Sequence, residues 1–439
     1  MTATAMIHTL DDWIRREAAP FSLDSSEAFN KAIDRIVATL GSSAVLLGLG
    51  ESLHGGEEIL LLRNWLSARL AEVHGYSAIA IESSFPRGRA VNDFVAGGGP
   101  ASYEVVREEG FSHGFGQLEA NRDLVEWMRT FNSDPAHRIK LRFYGFDSPT
   151  EMSFADSPSR VLHFVLDYLA SIDGDSYSAR RKRIDSLLGQ DSDWENPAAM
   201  MDPGRSVGLS PEATALRIET EEIISELLVC RPELVIKGGE NRYHEAVHYA
   251  KVARLLLNYH ATLARNSDKP GKRIVMGLGL RDVMMANNLE YIVSRERGRG
   301  KVIVFAHNSH LSRVKAEWKL GADLLRWWPA GAHLAEIFGP LYATIGTAVG
   351  VSEENGIGEP EPGTIEARLA AASRSGWGLF IPTSGVRGLS ASEIGSLPIR
   401  SGSVKNQTYF PLTPRNLTDF DGLAFLDKVT YSRGGPHLQ

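Results

Sequence analysis

Glu51-Ser52-Leu53-His54 sets a carboxylate and an imidazole three residues apart, and His307-Asn308-Ser309-His310 sets two imidazoles at the same interval. A histidine with a carboxylate partner is a common general base near neutral pH. Two histidines three apart on a turn can converge on one point, as metal ligands, oxyanion donors or donors to a leaving group. Asn308 adds a further donor toward a substrate. Glu82 supplies another acid, with Arg87 nearby as a salt-bridge or substrate contact, and Asp147 is a further candidate for binding substrate. Arg63 follows the His54 loop by nine residues and is placed to orient Glu51 or Glu82.

The elements that must position these groups are short apolar runs. Residues 44–50 run into Glu51, 78–81 into Glu82, 141–146 into Asp147 and 301–306 into His307. In an open α/β sheet, ligands sit in the crevice beyond the carboxyl ends of the strands. Four polar endings of this kind predict one cleft. Apolar spacing predicts helices over 24–40, 57–73 and 117–132, with strands at 44–49, 77–82 and 141–146. Helical patterns over 160–188 and 212–264 flank a loop at 190–211. Further strands are expected at 301–306, 341–348, 377–381 and 422–427. The expected fold is α/β, a parallel-rich central sheet flanked by helices. Residues 1–150 form one half and 271–439 the other, with 151–270 a helical insertion capping the cleft.

Several classes of function lack support. A net charge of −7 and no long Lys/Arg run argue against nucleic-acid binding. Cys230 is the single cysteine, which excludes an intrachain disulfide and a cysteine-based metal site. Residues 1–20 carry Asp11, Asp12, Arg15, Arg16 and Glu17 without an apolar core, so no secretory signal is expected. No run approaches a membrane span, and a cytoplasmic protein is expected. No G-x-G-x-x-G or Walker pattern follows a strand, and no G-x-S-x-G elbow exists. No cofactor is expected, and hydrolysis here would use water as the nucleophile. His244-Glu245-Ala246-Val247-His248 is a formal zinc-protease signature. The third histidine of the extended motif does not follow, and a core helix explains the apolar spacing around it.

Ordered segments across the chain carry a resemblance. They are Gly-Glu-Ser-Leu-His-Gly at 50–55, Ala-Ile-Glu at 80–82, Ala90-Val91-Asn92-Asp93, Trp127-Met128-Arg129 with Asn132, and Tyr-Gly-Phe-Asp at 144–147. Arg281-Asp282 with Met285-Ala286, His-Asn-Ser-His at 307–310 and Phe420-Asp421-Gly422-Leu423 complete the series. In these the chain resembles the erythromycin esterase family from about residue 40 to 430. The resemblance implies metal-independent ester hydrolysis in a deep cleft. It makes His54 the general base, Glu51 its carboxylate neighbour, and Arg63, Glu82, His307 and His310 the remaining active-site positions. The best-known members open the lactone ring of 14-membered macrolides. The expected partner is therefore a macrolide-like small-molecule ester, bound by a monomer or homodimer. Three alternatives stay open. One is a metal-dependent hydrolase with His54, Glu82, His307 and His310 as ligands. Another is a secondary-metabolite enzyme acting on a different ester or amide. The third is a protein that binds a macrolide without cleaving it.

Overall fold

The computed structural model describes residues 9–40, 43–151, 154–267, 269–383 and 395–436. Residues 1–8, the start of the stretch read as lacking a secretory signal, lie outside them. The chain forms β1 (Ala19–Phe21), β2 (Leu46–Glu51), β3 (Tyr76–Ser84), β4 (Arg142–Asp147) and β5 (Lys301–His307). The hairpin β6 (Ala316–Leu320) and β7 (Asp323–Trp327) follows, then β8 (Tyr342–Val351), β9 (Gly378–Pro382) and β10 (Gly422–Lys428).

Eight strands make one sheet in the order β1-β9-β10-β8-β2-β5-β3-β4, with the hairpin separate. From β10 through β4 every pairing is parallel, and only β9 runs against its neighbours. This is a mostly parallel α/β sheet flanked by helices, and its central strands are buried on both faces. Side chains therefore alternate between two apolar layers along each strand. Ala78, Ala80, Val302, Val304 and Ala306 face a layer built largely from helices between 159 and 296. Ile79, Ile81, Ile303 and Phe305 face the helices Ser26–Leu40, Glu57–Val73 and Glu119–Ser133. Among the described residues, no helix is long and apolar enough to cross a membrane.

The connections place the chemistry. β2 leads through the helix Glu57–Val73 to β3, which skips a place in the sheet. β5 later fills that gap, and β8 then lies on the other side of β2. The chain thus leaves the centre of the sheet in both directions, the arrangement that opens a crevice at the strand ends. Glu51 pairs in register with His307 across β2 and β5. In the next two strands outward, Glu82 stands two residues before the end of β3 and Asp147 ends β4. All four polar endings belong to the strands themselves rather than to the residues after them.

Three elements depart from the expected pattern. Phe85–Val95 is a helix although it carries Pro86, Gly88, Asn92 and Asp93, and Pro86 stands at its start, where a missing N–H costs nothing. The longest helix, Pro270–Glu296, was not expected either, because Gly271, Gly277 and Gly279 interrupt its pattern. Residues 190–211 are not simply a loop but contain short helical turns at Asp191–Trp194, Pro197–Met200 and Pro203–Arg205.

Candidate active site

His54 hangs from the turn that joins β2 to the next helix. Gly55 takes φ +78° there, a conformation costly to any side chain, and a Cβ at Gly55 would also meet the Tyr431 ring at 2.9 Å. The His54 N–H donates to Thr408 Oγ1 at 2.9 Å, and Asn406 Nδ2 donates to the His54 carbonyl at 3.0 Å. The imidazole is therefore placed by its own backbone. Its Nδ1 lies 2.9 Å from Glu51 Oε2. A carboxylate only accepts, so Nδ1 carries the proton and Nε2 is left as the basic atom. Burial disfavours a charge on this ring, but the Glu51 carboxylate outweighs it and the pKa is raised above the ordinary histidine value.

His307 is held in the opposite state. Its Nε2 donates to the Thr408 carbonyl at 2.7 Å, and its Nδ1 accepts from Ser309 N–H at 3.2 Å and Ser309 Oγ at 2.7 Å. With one nitrogen a donor and the other an acceptor, the ring is neutral. Burial, joined by the charge of His54 5.1 Å away between ring centres, drives its pKa down to about 3.

His310 is a fixed cation. Nδ1 is 2.7 Å from Asp282 Oδ1 and Nε2 is 3.3 Å from Glu82 Oε1. Burial opposes its charge, yet the two carboxylates push its pKa up to about 10. Asp282 is itself aimed by Trp327 Nε1–H at 2.7 Å and the Ala330 N–H at 2.9 Å. The hairpin strand β7 thus ends on the group that charges His310.

Glu82, 4 % exposed, is the hub. Oε2 accepts the His307 N–H at 2.7 Å, and Oε1 accepts Arg281 Nη2 at 3.0 Å as well as His310 Nε2. Burial alone would raise its pKa. The surrounding cations, His310 first, hold it well below the carboxylate range. Asp147 is fully buried and grips Arg281 with both oxygens, at 3.0 and 2.6 Å. It also takes His113 Nε2 at 2.9 Å and its neighbour's Ser148 N–H at 2.7 Å. Its contacts place it behind Arg281, as an anchor for that cation.

Arg63 faces inward at 1 % exposure, over the Phe305 ring. Its donors go to Asn121 Oδ1, Asn64 Oδ1 and the Ala120 carbonyl. Burial lowers its pKa to about 10, which leaves it charged at neutral pH. It lines a small cavity with Glu51, Glu82, Phe115 and Phe305. Asn308 clamps both backbone groups of Thr347, at 2.9 and 3.1 Å, reaching over Gly50, where a Cβ would lie 2.0 Å from Asn308 Oδ1. Arg87 turns instead to Asp156 at 3.0 Å and Glu151 at 2.9 Å. The structure thus gathers Glu51, His54, Arg63, Glu82, Asp147, His307 and His310. It gives Asn308 and Arg87 contacts that join elements of the fold.

Four residues with no assigned role in the sequence reading join the cluster. Arg281 and Asp282 come from the long helix whose glycines disguised it. Thr408 comes from the irregular segment before β10. His113 has φ +59°, rare for a side-chain-bearing residue and a mark of local strain. The only local hint of it was Gly114 beside it.

The zinc-protease signature disperses. His244 is half-buried and 3.7 Å from Glu240, Glu245 pairs with Arg89 at 2.9 Å, and His248 Nε2 donates to Asn288 Oδ1 at 2.7 Å while its ring stacks on Tyr291. His244 and His248 line a groove between Glu240–Leu263 and Pro270–Glu296, and no strand-end residue lines it. Among the described residues, no three His, Cys, Asp or Glu side chains are grouped to hold a metal ion.

A carboxylate–imidazole pair beside fixed cations, at the strand ends of a parallel sheet, is the equipment of a hydrolase. The erythromycin esterase family profile matches residues 71–429, and the chain belongs to that family. It is 23 % identical over 340 residues to the erythromycin esterase type II of Escherichia coli, covering 76 % of each chain. Its fold resembles a Bacillus cereus protein of solved structure, with a TM-score of 0.74 and 19 % identity over 97 % of this chain and 98 % of that one. It also resembles a histidine-to-asparagine mutant of the erythromycin esterase EreC in its open conformation, with a TM-score of 0.65 and 16 % identity over 94 % and 98 %. Family membership supports an esterase or hydrolase activity.

Proposed function

We propose that this chain hydrolyses an ester of the macrolide-lactone type with water activated by His54. The observation that carries this reading is the 2.9 Å contact of Glu51 with His54 Nδ1, which leaves Nε2 basic. Water loses a proton to Nε2 as its oxygen bonds to the ester carbon, and the carbonyl electron pair moves onto oxygen. When the oxyanion collapses, the carbon–alkoxide bond breaks and the departing oxygen takes the proton from His54. The products are a carboxylic acid and an alcohol, which for a lactone are one opened chain. Glu51 stabilises the imidazolium between the two steps.

The test is incubation of the purified protein with 14-membered macrolides and simple aryl esters in ¹⁸O-labelled water, followed by mass spectrometry. The expected product has gained one water, with the label in its carboxylate. Retention of every ester intact would overturn the reading.

The same reading fixes a pH dependence. The base acts as neutral imidazole, and its pKa is raised above 6.5. Activity should therefore rise with pH through a midpoint above 6.5. Glu51→Gln removes the charge that raises it, so the midpoint should fall along with the rate. A kcat/KM profile whose midpoint is at or below 6.5, or moves upward in Glu51→Gln, contradicts the assignment.

A further inference from the structure

Attack by water places a negative charge on the former carbonyl oxygen, and some donor must meet it. The donors expected from the sequence are already largely engaged. Arg63 spends four of its five N–H groups on Asn121, Asn64 and Ala120, which leaves one Nη1–H against two on Arg281. His307 Nε2–H points at the Thr408 carbonyl, and both nitrogens of His310 lie on carboxylates.

Arg281 is different. Nε donates to Asp147 Oδ1, and Nη2 donates to Asp147 Oδ2 and Glu82 Oε1. These bonds fix the plane of the guanidinium, while its side chain keeps 20 % of its surface. Among the described residues, Nη1 has no hydrogen-bond partner. The guanidinium is one hydrogen bond from Glu82, which lines the cavity shared with Glu51 and Arg63. It is backed by Asp147, which the strained His113 holds in turn at 2.9 Å.

We propose that Arg281, through its Nη1–H, is the catalytic donor that stabilises the oxyanion, with Asp147 and His113 as its positioning residues. The assignment rests on the ester-hydrolysis reading for its chemistry, but the anion site itself can be tested apart from turnover. A preorganised, charged donor in a closed site is worth far more to a localised oxyanion than to a neutral carbonyl. Its loss should therefore fall on kcat and on anion affinity, and little on KM.

Arg281→Ala strips two buried carboxylates of their partner, so Arg281→Lys is the leading variant. It keeps the charge, but a single ammonium cannot bond both Asp147 oxygens and Glu82 and still offer a free donor. Melting curves of both variants establish that they fold. The expected result for Arg281→Lys is a kcat lower by about 10²-fold with KM within a few-fold. Millimolar guanidinium should restore part of the activity of Arg281→Ala and none to His54→Ala. Calorimetry uses 4-nitrophenyl methylphosphonate, a stable tetrahedral monoanion, as probe. It should bind the wild type and bind Arg281→Lys about 10²-fold more weakly. No phosphonate binding to the wild type, equal binding by both proteins, or a kcat within threefold in Arg281→Lys overturns the proposal. Phosphonate binding that depends on Arg281, in a protein that cleaves no ester, keeps the anion site and discards the ester reading instead.

Discussion

His54→Ala should lower kcat by about 10³–10⁴-fold while the protein stays folded. Of His54, His307 and His310, it is the one with a carboxylate on one nitrogen and no protein acceptor or donor assigned to the other among the described residues. His113 also has a carboxylate on one nitrogen, but its other nitrogen is buried away from solvent. His307 cannot replace it, because a pKa near 3 makes it a very weak base and its Nε2 already carries a proton. His310 cannot replace it either, because it is charged up to about pH 10. The turn should survive, since its bonds to Thr408 and Asn406 use the His54 backbone rather than the ring. Circular dichroism and steady-state kinetics on one preparation check both halves of the expectation. A variant with more than a tenth of the wild-type rate would exclude His54 as the base.

Glu82→Ala should cost about 3–5 kcal/mol of stability and also abolish activity. Glu82 is buried, and its two oxygens serve Arg281, His310 and the His307 N–H at once. Truncation leaves two buried cations facing each other and orphans a backbone donor at the end of β5. Removing one member of a buried ion pair is costly because the other charge stays out of water. Glu82→Gln is the informative companion. It keeps a carbonyl acceptor for the His307 N–H but loses the charge, so it should be less destabilised than Glu82→Ala and nearly as inactive. Urea unfolding of the three proteins measures the difference. A loss below 1 kcal/mol in Glu82→Ala would mean that the hub does not hold the site together.

Much of the frame was legible. The helix over 57–73 matches Glu57–Val73, because its apolar run starts cleanly after two glycines and stops before Gly75. The strands under Glu51, Glu82, Asp147 and His307 were legible because buried parallel strands read as short unbroken apolar runs. Phe85–Val95 and Pro270–Glu296 were not, because glycines and polar residues break their periodicity, in the first helix for the sake of close packing. Gly88 shows this directly. A Cβ there would lie 2.3 Å from the Gly145 backbone nitrogen, so the residue that weakens the helical pattern is the one that lets the helix sit on β4.

The amino-acid sequence by itself determined which chemical groups stand at the ends of which strands, since strand and residue are fixed by local apolar patterning. The tertiary structure alone decided their partners and their charge. Sheet order inserts β5 between β2 and β3, so Glu82 meets the His307 backbone 225 residues away in the chain. A helix with no clear local signal brings Arg281 and Asp282 against Glu82, Asp147 and His310. Three histidines that look alike as letters become a general-base candidate, a neutral ring and a permanent cation. Protonation depends on burial and on neighbours in space, and neither is written in local spacing.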